Sequence, residues 1–386
     1  MGSWSCLSEK CRESDRKNTY YQNPDPTANK RELPRGSNCQ KDIILMIQNS
    51  VEIRVKGRWV NVPVAVINGT QFLAKGTWLK TVTIRSEEMI ENELENPSLY
   101  VKELKAGKNR LLKADIFTFA QKIPATKPKY SYPMECESVA AVHLTSFKEW
   151  WESLPQETRK NVRRSQKRGV TVAIRKFDDD LIQGIREVND ESPLRQGIPN
   201  AYFGKSSEET RKLYGEFVGR CDFICAYLRN ELIGFLHLVY RGEVASILNL
   251  TTKRSHFDAR PANALVAEAA KICEQKGVSY LTYGLYNYGN KGDSPLREFK
   301  IRNGFEEILV PRYFVPLTLW GSLCMKAKLH RGLVGIFPRW IIIAGLSART
   351  VWYTSKNFIS RCSSTIERPN RTRQMERSTP PAGSNS

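Results

Sequence analysis

The sequence has little of what hydrolytic and metal-dependent sites are usually built from. Its 386 residues hold four histidines, scattered at 143, 237, 256 and 330. No Ser-His-Asp or Cys-His arrangement stands out around them, and no metal site is expected. The nine cysteines (6, 11, 39, 136, 221, 225, 273, 324 and 362) are odd in number and irregularly spaced. Cys221 and Cys225 do not have the spacing of a zinc knuckle, so reduced thiols in a cytoplasmic protein are expected. The opening MGSWSCLSEK lacks the apolar run of a secretory signal. No apolar run approaches the roughly 18 residues of a membrane span. Acidic residues are missing altogether from Ile308 to Ile366, where eight lysines and arginines occur.

What is present is positive charge and a substantial apolar fraction. Formal net charge is +20 and hydrophobic residues make up 40%. That apolar share supports a buried core, and the charge points to a phosphate-bearing partner: nucleic acid, an anionic membrane surface or a phosphorylated substrate. Between Lys148 and Lys176 there are nine basic and three acidic residues. Arg159 and Arg163 stand four apart, as do Lys160 and Arg164, so both sides of one helix are basic. Arg159, Arg163, Arg164 and Lys167 are therefore candidates for phosphate or nucleic-acid contact, against the alternative of a solvated helix face.

Taken in order, residues 1 to 40 are polar and read as a disordered arm. Stretches such as VEIRVKGRWVNVPVAVI and TQFLAKGTWLKTVTI, broken at Lys56-Gly57 and Asn68-Gly69, read as strands in hairpins. Lys122 to Pro133 reads as a linker or crossing loop. A helix beginning near Trp150, with Pro155 in its first turn, is expected to end at Gly169. The loop NDESPLRQGIPNAYFGK offers Tyr202 as a pocket residue. FICAYL, ELIGFLHLVY and EVASILNLTT form an antiparallel meander. A helix then starts at Pro261 and ends at Gly277. Its N-terminus suits an anion, with Arg254 and Arg260 as donor-phosphate ligands. A strand, a polar loop, a short helix holding Phe299 and Lys300, and a last strand close the unit.

That order, meander-helix-strand-helix-strand, resembles the GNAT (acyl-CoA N-acyltransferase) superfamily. LPQETRKNVRRSQKRGVTV and ARPANALVAEAAKICEQKGVSYLTYG followed by SPLREFKIRNGF are similar to FemABX-type transferases and to BioF2-like acetyltransferase domains. The likeness covers roughly residues 140 to 318. It implies acyl or aminoacyl transfer to an amino group of a cell-wall or surface-polysaccharide precursor, with acyl-CoA or aminoacyl-tRNA as donor. At the family's phenylalanine-lysine box, Lys300 is implied to stabilise the oxyanion or hold the donor's phosphate, and Phe299 to pack beneath the donor or in the core. Tyr283, Tyr286 and Tyr288 near the strand end are pocket candidates. Asp293 is a candidate base, or a helix cap. One departure from coenzyme-A enzymes is plain: where they carry a glycine-rich turn, this chain reads Arg254 to Pro261 without glycine.

The expected fold class is α/β (α+β), a GNAT-like acyltransferase fold in two GNAT-like halves with C-terminal basic helices. The divisions are 1–40 arm, 41–139 first half, 140–318 acyltransferase half, 319–362 basic amphipathic helices and 363–386 tail. Basic residues interleaved with tryptophan after residue 318 suggest either a segment lying on an anionic membrane at its inner face, near a lipid-linked acceptor, or helices packed on the first half. The competing reading is a non-catalytic nucleic-acid-binding or membrane-surface adaptor protein.

Overall fold

A computed structural model describes residues 50–331 except 56–57, 88–90, 108, 196–197 and 288–293, together with 344 and 347–348. The expected arm, Tyr288, Asp293, most of the C-terminal helical segment and the tail lie outside the described residues.

The first strands are β1 (Ser50–Val55), β2 (Arg58–Ile67), β3 (Thr70–Lys75) and β4 (Thr81–Ile84). Asn68 and Gly69 turn β2 into β3 with φ of 48° and 78°, the two positive values a twisted two-residue hairpin needs. Helix α1 (Pro97–Lys105) and β5 (Ile116–Ala120) follow, then a loop, as expected, to β6 (Met134–His143).

The single helix expected from Trp150 to Gly169 is two. They are α2 (Phe147–Ser153) and α3 (Gln156–Lys167), because Leu154, just before Pro155, is extended at ψ 146°. Next come β7 (Thr171–Arg175), α4 (Asp179–Asp190), the short β8 (Leu194–Arg195) and β9 (Ile198–Pro199), and α5 (Ser207–Tyr214). The meander is β10 (Cys221–Leu228), β11 (Glu231–Arg241) and β12 (Val244–Thr252). Then α6 (Pro261–Gln275), β13 (Tyr280–Leu285), α7 (Pro295–Arg302), β14 (Glu306–Pro316) and α8 (Leu319–Lys326) complete the described chain.

Twelve of the described strands form one sheet in the order β1-β2-β3-β4-β5-β14-β6-β13-β12-β11-β10-β7. The late strand β14 lies between β5 and β6, antiparallel to both, and so joins the early strands to the meander. The expected division at 139/140 falls inside β6, which pairs with β14 on one side and β13 on the other. Among the described residues no helix is long and apolar enough to cross a membrane.

Alternation along the strands separates two faces. On one, α6 buries Leu265, Val266, Ala269 and Ile272 against Ile224, Leu236, Ala245 and Leu281, with Trp150 and Phe305. The alanines let this helix sit close to the sheet. On the other face of β10, Phe223 and Cys225 meet Leu181, Ile185 and Tyr214 of α4 and α5. Phe72, Phe117, Phe119 and Tyr313 centre a further core under the early strands.

His237 of β11 is 2% exposed, and its ring stacks on Phe223 at 4.4 Å. Neither ring nitrogen has a hydrogen-bond partner among the described residues. Burial alone pulls its pKa to about 4, from 6.5. Because the folded pKa lies below the unfolded one, the unfolded chain binds more protons between those values, and stability is lost as pH falls below about 6.5. Urea melts at pH 7.5 and pH 5 are expected to differ by about 2 kcal/mol from this group. His237→Leu should remove that part of the acid sensitivity, and an unchanged difference in the variant would contradict the assignment.

Candidate functional site

The two central parallel strands part company. β12 and β13 pair only at Val244↔Tyr280, Ala245↔Leu281 and Ser246↔Thr282. Both then bulge. On β12, Ile247 pairs with Leu238 and Asn249 with His237, leaving Leu248 as the extra residue. On β13, Thr282 pairs with Ala141 and Leu285 with Val139, and Gly284 takes a φ of 56°. A bulge bends its strand and adds twist, so two facing bulges spread the pair. The hydroxyls of Ser246 and Thr282 close the last rung at 2.8 Å. Beyond it lies a cavity of about 220 Å³, lined among others by Leu248, Tyr283, Leu285, Glu87, Glu137 and Arg312.

Lys300 adjoins one wall of this cavity. Its helix α7 begins with Ser294 as cap and Pro295 in the first turn, and its C-terminus is clamped from three sides. Trp150 Nε1 donates to Asn303 O at 3.2 Å, Thr158 Oγ1 donates to Arg302 O at 2.8 Å, and Asn303 Nδ2 donates to Phe299 O at 2.7 Å. Gly304 then leaves at φ 81°, where a Cβ would stand 3.1 Å from the Trp150 indole nitrogen. So held, Lys300 is fully buried. Its ammonium donates to Leu285 O at 2.6 Å and lies 4.7 Å from the centroid of the Tyr283 ring. Burial lowers its pKa from 10.5 to about 8.

Three further lining residues, Glu87, Glu137 and Arg312, were not read from the sequence as a group. Arg312 of β14 donates to Glu87 Oε2 at 2.8 Å and to Glu137 Oε2 at 3.0 Å. Glu87 also accepts from the Ala120 N–H at 2.7 Å, and Lys122 donates to the Glu87 carbonyl. Burial lowers the Lys122 pKa, with Glu87 opposing. Both Arg312 bonds to Glu137 use the same oxygen, so Oε1 of Glu137 has no hydrogen-bond partner among the described residues. Arg312 was counted with the C-terminal surface cations, and its charge is instead neutralised inside the sheet. Arg331, another of those eight, donates to Glu135 at 2.7 Å.

Of the remaining described candidates, Tyr283 alone lines this cavity. Phe299 packs against the α6 core together with Tyr283. Tyr286 is 8% exposed beneath the Arg297 guanidinium at 5.1 Å. Tyr202 packs on the α4–α5 core, 5.9 Å from Tyr214. A residue the sequence reading passed over, Arg195, reaches from β8 to donate to Thr251 Oγ1 at 2.9 Å. Burial lowers its pKa, opposed by Tyr214, Glu191, Tyr202 and Tyr283. Its only sequence signal was an arginine flanked by prolines.

Arg254 and Arg260 are exposed on the turn from β12 to α6. The turn itself is poor in free donors. Arg254 N–H and Ser255 N–H donate to the carboxylate of Glu191, which also takes the Ser255 hydroxyl at 2.6 Å. Partial burial would raise the Glu191 pKa, but these bonds outweigh it and hold the carboxylate below its usual range. His256 N–H goes to Lys253 O, Arg260 N–H goes to Phe257 O, and Pro261 has no N–H. A pyrophosphate such as that of coenzyme A finds a carboxylate already seated there and only the first turn of α6 beyond it. These residues do not fit a pyrophosphate cradle.

Helix α3 carries the basic face. Thr158, Val162 and Ser165 form its buried stripe, and Lys160, Arg163, Arg164 and Lys167 are exposed. Arg159 is half-buried, with an Nε that has no partner among the described residues. Arg163 lies over Trp151 at 5.7 Å, and Arg168 pairs with Asp258 of the β12–α6 turn. The basic face is thus fixed beside the turn and, through Thr158, to the end of α7.

Several solved structures show a distant likeness. FemX is 12% identical with a TM-score of 0.48, covering 72% of this chain and 89% of that one. L-PGS from Bacillus licheniformis is 15% identical with a TM-score of 0.45, covering 69% and 86%. The PaiA N-acetyltransferase from Thermoplasma acidophilum in complex with coenzyme A is 22% identical with a TM-score of 0.28, covering 37% and 98%. No curated protein matches the sequence. Residues 156–299 match the family model described as an acetyltransferase (GNAT) domain, from the first residue of α3 to the residue before Lys300. This segment, which contains the parted strands and covers less than half of the chain, is therefore similar to a GNAT acetyltransferase domain.

Proposed function

We propose that the protein transfers an aminoacyl group from an aminoacyl-tRNA to an amino group of a cell-envelope precursor. The observation that carries this reading is the cavity between β12 and β13, with the Lys300 ammonium behind one wall and, on another, the Glu137 oxygen that has no hydrogen-bond partner among the described residues. An amine entering the cavity attacks the ester carbonyl. The C–N bond forms, the ester C–O bond breaks, and the departing ribose oxygen takes a proton. Negative charge developing on the carbonyl oxygen is met by the Lys300 ammonium in a water-poor site. The proton released by the amine passes to Glu137 Oε1 and from there to the departing ribose oxygen. A donor whose phosphates are spread along a polynucleotide suits the exposed face of α3, whereas the turn after β12 is closed to a pyrophosphate.

The test is a binding titration with charged tRNA, uncharged tRNA and acetyl-coenzyme A, each at two salt concentrations. Charged tRNA is expected to bind and to weaken steeply with salt. Changing Arg163, Arg164 and Lys167 to glutamine should flatten the salt slope by roughly one unit per cation removed. Saturable binding of acetyl-coenzyme A without binding of tRNA would overturn the donor, and binding of neither would overturn the reading.

A further inference from the structure

Helix α8 is docked by its small residues and turns its large ones outward. Thr318 caps it, accepting from Gly321 N–H at 3.0 Å, and donates to Asp115 Oδ1 at 2.9 Å. Leu317 N–H donates to Asp115 O at 2.8 Å. A Cβ on Gly321 would lie 2.0 Å from Asp115 O, so the helix sits hard against the β5 entry, with Cys324 also buried. The opposite side is apolar. Leu319 is 91% exposed and Leu323 56%, at i and i+4 on one face.

A second, distant segment extends the same surface. Trp78, in the loop from β3 to β4, is 60% exposed, and Trp320 is 44% exposed. Trp320 Nε1 donates to Trp78 O at 3.1 Å, and the two rings meet edge to face at 6.4 Å. The loop and the helix are therefore one fixed surface rather than two loose ends. Lys75 and Lys80 flank Trp78, and Lys326 continues the stripe of Leu319 and Leu323; all three are exposed. The nearby acid, Asp115, is held by Thr318 and by the Lys80 N–H at 2.9 Å.

We propose that Trp78, Leu319, Trp320 and Leu323 form a wedge that seats the protein on an anionic lipid surface. Leucine tips with tryptophan, whose ring is apolar and whose N–H is polar, are the chemistry of the headgroup–acyl boundary. A rim of lysines selects negative headgroups. A second copy of the chain would bring like-charged rims together, and α8 with its next turn is too short to span. The inference stands on the surface alone and holds whether or not the donor proposed above is correct.

The test is flotation of the full chain with vesicles of phosphatidylglycerol and phosphatidylcholine, and with phosphatidylcholine alone. The protein is expected to float with the anionic vesicles, less so as salt rises, with a blue shift in tryptophan fluorescence. The combined variant Trp78→Ser, Leu319→Ser, Leu323→Ser should lower the bound fraction by more than about 10-fold with an unchanged melting temperature. Lys75, Lys80 and Lys326 to glutamine should lower it on anionic vesicles alone. Failure of the wild type to float at low salt would overturn the proposal. So would undiminished binding of the serine variant. A large drop in its melting temperature would show that the chain itself covers the wedge. A concentration-dependent dimer in sedimentation, lost in the serine variant, would give the surface to a second copy instead.

Discussion

Replacing Lys300 with methionine is expected to cost about 10²- to 10³-fold in transfer rate and yet to leave a more stable protein. The rate follows from the site: a positive charge fixed beside the cavity is lost, and preorganised electrostatic stabilisation of a developing oxyanion has about that effect. The stability follows from burial. Lys300 is 0% exposed, and burial takes its pKa from 10.5 down to about 8. Below pH 8 the folded protein keeps a charge it would rather not bury, at a cost of about 3 kcal/mol. Methionine has a similar shape and no charge. It leaves the Leu285 carbonyl without its donor, which returns about 1 kcal/mol, so a net gain of about 2 kcal/mol is expected. The sign with pH is distinctive. The unfolded chain binds more protons than the folded one between about 8 and 10.5, so wild-type stability rises with pH across that window. The methionine variant should lack this rise. The transfer rate of the wild type, needing the charged form, should fall as pH passes about 8. Denaturation at pH 7 and pH 10, with turnover on the same samples, checks all of this. Undiminished turnover in a well-folded variant would remove Lys300 from the chemistry.

How much of this was legible depended on how local each cause is. The turn at Asn68-Gly69, the start of α6 at Pro261 and the exit from α7 at Gly304 are written in residues a few positions apart, and the structure has them where the sequence placed them. Lys300 was legible as a position, through its place between the polar loop and Gly304-Phe305. Its burial was not, because that is made by Tyr283 and Leu285 across the α7–β13 contact. Pro155 was read as an opening residue of one helix, and its effect on Leu154 split that helix instead. Contacts between remote parts left no trace in spacing. Glu191 sits 63 residues before Arg254, and nothing in either stretch announced that one would occupy the other's N–H. Arg312 is 225 residues from Glu87, and it looked like one more cation in an acid-free segment. Only the insertion of β14 between β5 and β6 brings it to its partners.

That insertion makes Arg312→Leu the most damaging single change expected outside the chemistry. Arg312 is the cation between Glu87, 6% exposed, and Glu137. Burial alone would lower its pKa, but the two carboxylates reverse that and raise it. Removing one partner of a buried ionic group leaves the others without compensation, and this costs about 3–5 kcal/mol. Lys122 cannot take over, because its ammonium is held at the Glu87 carbonyl and its own pKa is already lowered by burial. The acids themselves are not what the fold requires. Replacing the group together, Arg312→Leu with Glu87→Gln and Glu137→Val, should return most of the loss, since well-packed apolar residues often substitute for a buried ion cluster at little cost. Glu87→Gln keeps an acceptor for the Ala120 N–H, which a shorter apolar residue would orphan. Urea melts of the single and triple variants separate the two statements. A loss below about 1 kcal/mol for Arg312→Leu would mean that water already screens the cluster. If the triple variant folds well yet transfers nothing, the cluster's place is in the reaction, with Glu137 facing the cavity, rather than in holding β14 to β5 and β6.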